Sequence, residues 1–355
     1  MLKILYKTQK IMLSIEYIPM QYYDAIVIHF VDDDGSGHNI IVDGGEINSP
    51  KYCYTDKLKL CLEEIFDKGE SIDLWVISHI DNDHIGGLYN FINDLDFFEK
   101  HHDQLKEVWM NYGGEGDFVV QKKGEIGYDS GKKLRDILRE KKINDKEGII
   151  AGVFKTIGNA GITVVAPDVD SYKRYIKWWN NIEFNDNVKT SDGLVSGGNW
   201  DYDLKFTDFN LNRYKEDKEV KNNSSIAFVF YYKQYKILFS ADSCSSILLS
   251  GLFDTKLLKD GKITLDLVHI PHHGSCRNSC FPFLKSLVCN QYVITGNGEN
   301  KYKLPDKETI ARLIAANPTG CELHFTAKNQ KLQEIFSDED DVNLSVCYDA
   351  KFLFE

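Results

Sequence analysis

Short apolar runs closed by turn residues organise the chain into two blocks. In the first, Tyr23-Asp-Ala-Ile-Val-Ile-His-Phe30 and Asn39-Ile-Ile-Val-Asp-Gly-Gly45 flank a turn through Asp32-Asp-Asp-Gly-Ser-Gly37, which predicts a hairpin. Leu58 to Phe66 carries apolar residues at helical spacing. Leu74-Trp-Val-Ile77 is a buried strand that stops at Ser78-His-Ile-Asp-Asn-Asp-His-Ile-Gly-Gly87, with a helix expected from Leu88. The second block opens at Asn222-Asn-Ser-Ser225 and runs through two strands to Lys236-Ile-Leu-Phe-Ser-Ala-Asp242. A third strand, Leu265-Asp-Leu-Val-His-Ile270, stops at Pro271-His-His-Gly-Ser275; a fourth, Gln291-Tyr-Val-Ile-Thr295, precedes a helix around Thr309 to Ala316. Alternating strands and helices make the class α/β. Between the blocks only Gly161-Ile-Thr-Val-Val-Ala-Pro167 has the grammar of a strand, and residues 169–221 read as an insertion within one domain spanning 1–355. No fixed-period repeat or low-complexity tract interrupts the pattern.

Composition narrows the function classes. A chain of 355 residues, 43% hydrophobic and 27% charged, is globular rather than disordered or fibrous. With 42 basic against 54 acidic residues the net charge is −12, which excludes a general nucleic-acid coat while leaving room for a local basic groove. Ser225-Ile-Ala-Phe-Val-Phe-Tyr-Tyr232 is among the longest apolar runs and falls well short of the roughly 20 residues of a membrane span. Glu16 and other polar residues break what would have to be an apolar signal segment. Eight cysteines without a CxxC pair fit reduced thiols, so no membrane association and a cytoplasmic location are expected.

The strand ends hold unusual chemistry. His79, Asp81, Asp83 and His84 place two imidazoles and two carboxylates directly after a rigid strand, which is the donor density of a metal site. Positions 79, 81 and 83 project to one side of an extended turn, and His84 turns to a second ion. Gly86-Gly87 lets the backbone approach closely without a Cβ. Asp242 and His272-His273 are strand-end candidates for the same cleft.

Ser78 to Gly87 resembles the metal signature of the metallo-β-lactamase-fold hydrolases, and the variant with Asp81 in place of the usual second histidine resembles the ComEC-type hydrolase domain and its stand-alone relatives. Asp24-Ala-Ile and Asp43-Gly-Gly45 resemble the opening hairpin, Asn222 to Ser225 an Asn-x-x-Ser strand start, Ser240-Ala-Asp242 an acidic strand end, and Pro271 to Ser275 the second signature; Asn300 to Pro305 and Thr326 match more loosely. The order is that of the family. The resemblance implies a four-layer αββα sandwich with two mixed sheets. It assigns His79 and Asp81 to one metal position, Asp83 and His84 to the other, and Asp242 to both. His272 would complete the second position, with His273 as ligand or proton donor. Gln21-Tyr-Tyr23 replaces a glycine-rich turn, Leu304 stands where relatives often have His, and no third histidine is evident for the first position.

One or two divalent ions, zinc or manganese, are therefore expected, with Asp83 and Asp242 orienting hydroxide and His273 protonating the leaving group. The implied substrate is a phosphodiester, in a nucleic acid or a nucleotide, and the enzyme a phosphodiesterase or nuclease. A small ester, lactone or thioester is the alternative within the fold, and a metal-stabilised subunit binding partner proteins through 169–221 is the alternative outside catalysis. Nine Lys/Arg against six acidic residues over 121–147 read as a solvated helix face before a nucleic-acid track. Trp178-Trp179 reads as packing before base stacking. His29, His101-His102, Cys276 and Cys280 read as structural, and Asn300 and His324 are weaker candidates for substrate contact.

Overall fold

Continuous apolar runs put hydrophobic side chains on both faces of the central strands, so each sheet must be covered on both sides. The computed structural model describes residues 12–20, 23–114, 127–184, 200–337 and 342–355. Its strands are β1 (Leu13–Tyr17), β2 (Ala25–Val31), β3 (Gly37–Asp43), β4 (Ile72–Ile77), β5 (Val108–Met110), β6 (Asp145–Lys146), β7 (Phe154–Ile157), β8 (Ala160–Ala166) and β9 (Ala227–Tyr232). They continue as β10 (Tyr235–Phe239), β11 (Ile263–Thr264), β12 (Leu267–His269), β13 (Leu287–Val288), β14 (Gln291–Ile294), β15 (Cys321–Phe325), β16 (Leu344–Cys347) and β17 (Lys351–Phe354). The α-helices are α1 (Lys59–Asp67), α2 (Asn82–Asn93), α3 (Leu95–His101), α4 (Tyr128–Glu140), α5 (Val169–Phe184), α6 (Ser245–Asp254), α7 (Phe281–Ser286), α8 (Lys307–Ala316) and α9 (Gln330–Glu334).

Among the described residues, one sheet has the order β17-β1-β2-β3-β4-β5-β6 and the other β16-β15-β14-β12-β10-β9-β8-β7, with a small pair β11-β13. Both follow the same plan. β1, β2 and β3 are antiparallel and β3 to β6 parallel; β7 to β10 are antiparallel and β10, β12, β14, β15 and β16 parallel. Ile26, Ile28 and Phe30 of β2 meet Phe228, Phe230 and Tyr232 of β9 in the core between the sheets. The alternate residues face outward, where Trp75 and Ile77 pack with α1 to α5 and Val229 and Leu238 pack with α6 to α9. The result is the expected helix-sheet-sheet-helix sandwich.

Within 113–221 the structure holds more order than the apolar pattern predicted. α5 starts at Val169 and buries Tyr175 and Trp179 in the same outer core as Trp75. Trp178 stacks on Tyr175 at 5.7 Å, so the tryptophan pair packs, as its bland reading held. Arg135 of α4 makes a buried two-pronged pair with Glu183 of α5, at 2.9 and 2.8 Å, and Lys132 pairs with Asp136. These basic residues of the 121–147 run are thus used inside the domain; 121–126 lie outside the described residues. Gln21 and Tyr22 lie outside them too. No helix among the described residues is long and apolar enough to cross a membrane, and all eight cysteines are free thiols.

Candidate metal centre

Loops at the carboxyl ends of parallel strands, where a chain leaves a rigid sheet, are the natural place for functional side chains. Here both sheets contribute. After β4, Ser78 and His79 leave the sheet and Asp81, in extended backbone, precedes α2; its carbonyl accepts from the N–H groups of His84 (3.0 Å) and Ile85 (3.4 Å). The helix therefore begins at Asn82 and not at Leu88, and Asp83 and His84 stand in its first turn rather than in an extended loop. Asp83 sits where the helix dipole favours an anion. The glycine pair serves helix packing: a Cβ on Gly44 would lie 2.5 Å from Gly87 Cα, and one on Gly86 would lie 2.5 Å from Glu46 C. The backbone that comes close is the end of β3.

From the second sheet, Asp242 follows β10 through Ala241 at φ 44°, and His272 and His273 follow β12 at φ 49° and 52°. Such backbone costs roughly 1–3 kcal/mol per residue and is held only where the surroundings fix it. His272 N–H donates to Ala241 O at 2.9 Å, tying the second signature to the acidic strand end.

Asp242 is the hub. Its Oδ2 lies 3.7 Å from His79 Nε2, 3.8 Å from His84 Nε2 and 3.5 Å from His272 Nε2. Asp81 Oδ2 is 3.8 Å from His79 Nε2, while Asp83 Oδ2 is 3.7 Å from His84 Nε2 and 3.8 Å from His273 Nε2. Donors about 2.1 Å from a tetrahedral ion stand roughly 3.4 Å from one another, so this spacing suits a shared cation better than direct hydrogen bonds. Ligand atoms of His79, His84 and Asp242 lie within 4.8 Å of one another, as do those of Asp83, His84 and His273. His79 Nε2, His84 Nε2 and Asp242 Oδ1 are buried with no hydrogen-bond partner. Each such orphan costs on the order of 1–3 kcal/mol, and a divalent ion would relieve all three. The residues present fit a metal.

A second layer aims these donors. Asp43 Oδ2 accepts from His84 Nδ1 at 2.8 Å and from the Ser78 hydroxyl at 2.7 Å, while its Oδ1 accepts from the Ser78 N–H at 2.7 Å. His79 Nδ1 meets Ser78 Oγ at 3.1 Å, His272 Nδ1 meets Asn278 Oδ1 at 3.0 Å, and His273 Nδ1 donates to Thr295 O at 2.7 Å. With every Nδ1 occupied, each Nε2 faces the cluster, the usual arrangement behind a metal-bound imidazole.

One expectation changes. The Asp83–His84 pair was expected to be completed by His272, but the structure brings His273 to it, because consecutive residues at positive φ set the two rings 5.8 Å apart at 63°. His273 Nδ1 donates to Thr295 O, and its Nε2 faces Asp83 Oδ2 at 3.8 Å. His79, Asp81, Asp83, His84 and Asp242 come together in one cluster, with Asp81 at its margin and His84 within reach of both His79 and Asp83. Asp43, Asn278, Thr295 and Lys221 were missed as parts of the centre; Lys221 Nζ lies 2.7 Å from Asp81 Oδ1. Only Asp43 left a signal, an acid before a glycine pair at a strand end. Asn300 binds its own loop through Leu304 O, and His324 lies on β15.

The electrostatics carry an excess of anionic groups. Burial opposes the charge on His84, but Asp43, Asp83 and Asp242 outweigh it and hold its pKa well above that of a free imidazole. Burial likewise opposes charge on His273, and Asp24 and Asp83 lift it to about 9. His79 moves the other way, lowered by burial and then by His84. Asp83 stays ionised against its burial because His84 and His273 face it. Without a metal the centre holds protons that a cation would replace.

Residues 24–166 match the family model of the metallo-beta-lactamase superfamily. No curated protein matches the chain. Among solved structures, it is similar to a CmlA β-hydroxylase variant (13% identity, TM-score 0.42, 88% of this chain and 52% of that one). It is also similar to a long form of RNase Z from yeast (12%, 0.43, 97% and 41%). A metallo-β-lactamase-fold protein, YhfI, from Bacillus subtilis is similar at 10% and 0.39, over 97% and 99%. The chain spans about half the length of the first of these and less of the second. With two mixed sheets face to face between helical layers, the architecture is the metallo-β-lactamase fold.

Proposed function

From that fold and its donor cluster we propose that the protein is a metal-dependent hydrolase that acts on phosphodiesters. The observation that carries the reading is Asp242, whose Oδ2 stands between two donor groups at the junction of the sheets, 3.7 Å from His79 Nε2 and 3.8 Å from His84 Nε2. One group is His79, Asp81 and Asp242; the other is Asp83, His84, His273 and Asp242. Zinc or manganese bound there would make water acidic enough to give hydroxide near neutral pH and would offset charge on the scissile group. The chain's own residues fix the geometry. Asp43 keeps the His84 proton on Nδ1, and Thr295 does the same for His273. Asp83 and Asp242 hold their oxygens toward the reacting centre. His272, whose side chain keeps 21% exposure while His79 and His84 are enclosed, is the imidazole placed to pass a proton to a leaving group.

The test is a cleavage panel of single- and double-stranded DNA, RNA and a small chromogenic diester, with zinc or manganese added to chelator-stripped protein. Cleavage by the wild type and none by Asp83→Ala supports the proposal; an intact panel overturns it. A second reading, hydrolysis of a small ester or thioester, draws on the Lys221–Asp81 pair, which takes one donor oxygen from the first position and suits a single ion polarising a carbonyl. Turnover of such esters with the diesters untouched would establish it.

A further inference from the structure

The parallel register of the second sheet sets His269, Val293, His324 and Cys347 in one lateral row across β12, β14, β15 and β16. Residues two apart on a strand share a face, so Glu322 joins His324 on β15 and Asp349 joins Cys347 beyond β16. The face closes against β17 of the other sheet, where Phe352 meets the His324 ring edge-on at 4.9 Å. Between them is a cavity of about 330 Å³, lined by Gln291, Glu322, His324, Cys347, Asp349 and the residues of β17.

His324 is 5% exposed, and neither of its ring nitrogens has a hydrogen-bond partner. Asp349 Oδ2 stands 3.6 Å from Nδ1 and Glu322 Oε2 3.5 Å from Nε2. Ligand atoms of His324, Cys347 and Asp349 all lie within 4.8 Å of one another. Lys351, which also lines the cavity, turns its ammonium to Glu16 at 2.6 Å and leaves the carboxylates uncompensated by it. With strands spaced about 4.8 Å apart, His324 lies two strands, roughly 10 Å, from His269, with the Val293 side chain between them.

We infer that His324, Cys347 and Asp349 form a second metal site, separate from the candidate centre, that takes a thiophilic divalent ion of the zinc class. His324 binds through Nδ1, Cys347 through its thiolate and Asp349 through a carboxylate oxygen. Glu322 receives the Nε2 proton and fixes the ring, and the fourth position is open to the cavity. A sulfur donor beside an imidazole excludes magnesium and calcium. The ion clips β16, an edge strand among the described residues, to β15. Metal uptake releases the Cys347 thiol proton and changes no oxidation state.

The full chain is stripped with chelator and titrated with cobalt(II), which gives a near-ultraviolet charge-transfer band when bound to thiolate. The band is expected in the wild type and, undiminished, in Asp83→Ala. It is expected to vanish in Cys347→Ser and His324→Ala with the loss of one equivalent of bound metal. In the unaltered protein, zinc should shield Cys347 from alkylation, read by mass spectrometry. A wild type without the band, a band unchanged in Cys347→Ser, or Cys347 alkylated equally with and without zinc overturns the inference. Because Asp83→Ala removes a donor of the other centre and none of this site, failure here and failure of the proposed hydrolase function register separately.

Discussion

Asp43 does more for the centre than its distance from any substrate suggests. It accepts from His84 Nδ1 and from both polar hydrogens of Ser78, so one carboxylate aligns the strand end and the imidazole together. Asp43→Ala is expected to weaken metal binding by about 10–100-fold, the usual effect of removing a carboxylate behind a metal-bound histidine. Chelator competition measures it, and unchanged affinity would show that His84 needs no such support. Asp306 makes a separate prediction about pH. Half-buried before α8, where it accepts from Cys276 N–H at 2.7 Å, it is pushed up to about 6 by loss of solvation, with Asp201 adding to the shift. A carboxyl raised from 3.8 stabilises the fold fully below about pH 4 and loses that contribution as pH rises through 6. Asp306→Asn keeps an acceptor for Cys276 without the charge. It should therefore be more stable than the wild type in urea at pH 8, by a few kcal/mol at most, and should lose that advantage at pH 4. A wild-type excess at pH 8 would contradict this. The ligand residues were legible because six consecutive positions concentrated imidazole and carboxylate, whereas Asn278 and Thr295 act through one hydrogen bond each and look like any loop polar residue.

At the scale of elements, α2 and the α4–α5 pair do most to position the centre. α2 presses its second turn on the end of β3, where Gly44 and Gly87 touch. Gly87→Ala has no room for its methyl group and should cost about 1–3 kcal/mol or more in chemical denaturation. A variant as stable as the wild type would mean that the contact relaxes freely. Arg135→Ala strands Glu183 inside the α4–α5 interface and should cost about 3–5 kcal/mol. A loss within experimental error would show that the pair is dispensable. The start of α2 was misread because glycines and aspartates weaken a helical pattern; what overrides that propensity is packing against β3 and the Asp81 carbonyl. α5 was read as part of an insertion for a similar reason. Its apolar face is mostly aromatic and broken by charged residues, yet Tyr175, Trp179 and Ile182 anchor it to the core.

Across the whole molecule, two sheets of like plan meet so that each supplies half of one cluster. His79, Asp81, Asp83 and His84 come from the carboxyl end of β4, and Asp242 and His272-His273 come from the ends of β10 and β12. The hydrophobic pattern made only the α/β class legible, and the sandwich followed from the resemblance carried by signatures spaced along nearly the whole chain. Which of two adjacent histidines turns inward was not, because that depends on a left-handed turn set by tertiary contacts. The same contacts define the second cluster, since Cys347 and His324 meet only through strand register. Anomalous diffraction from crystals of the zinc- or manganese-loaded protein tests the central claim most directly. The expected result is one or two peaks within bonding distance of Asp242, with Asp83, His84 and His273 around one of them. Density showing no metal at Asp242 in fully loaded crystals would contradict it.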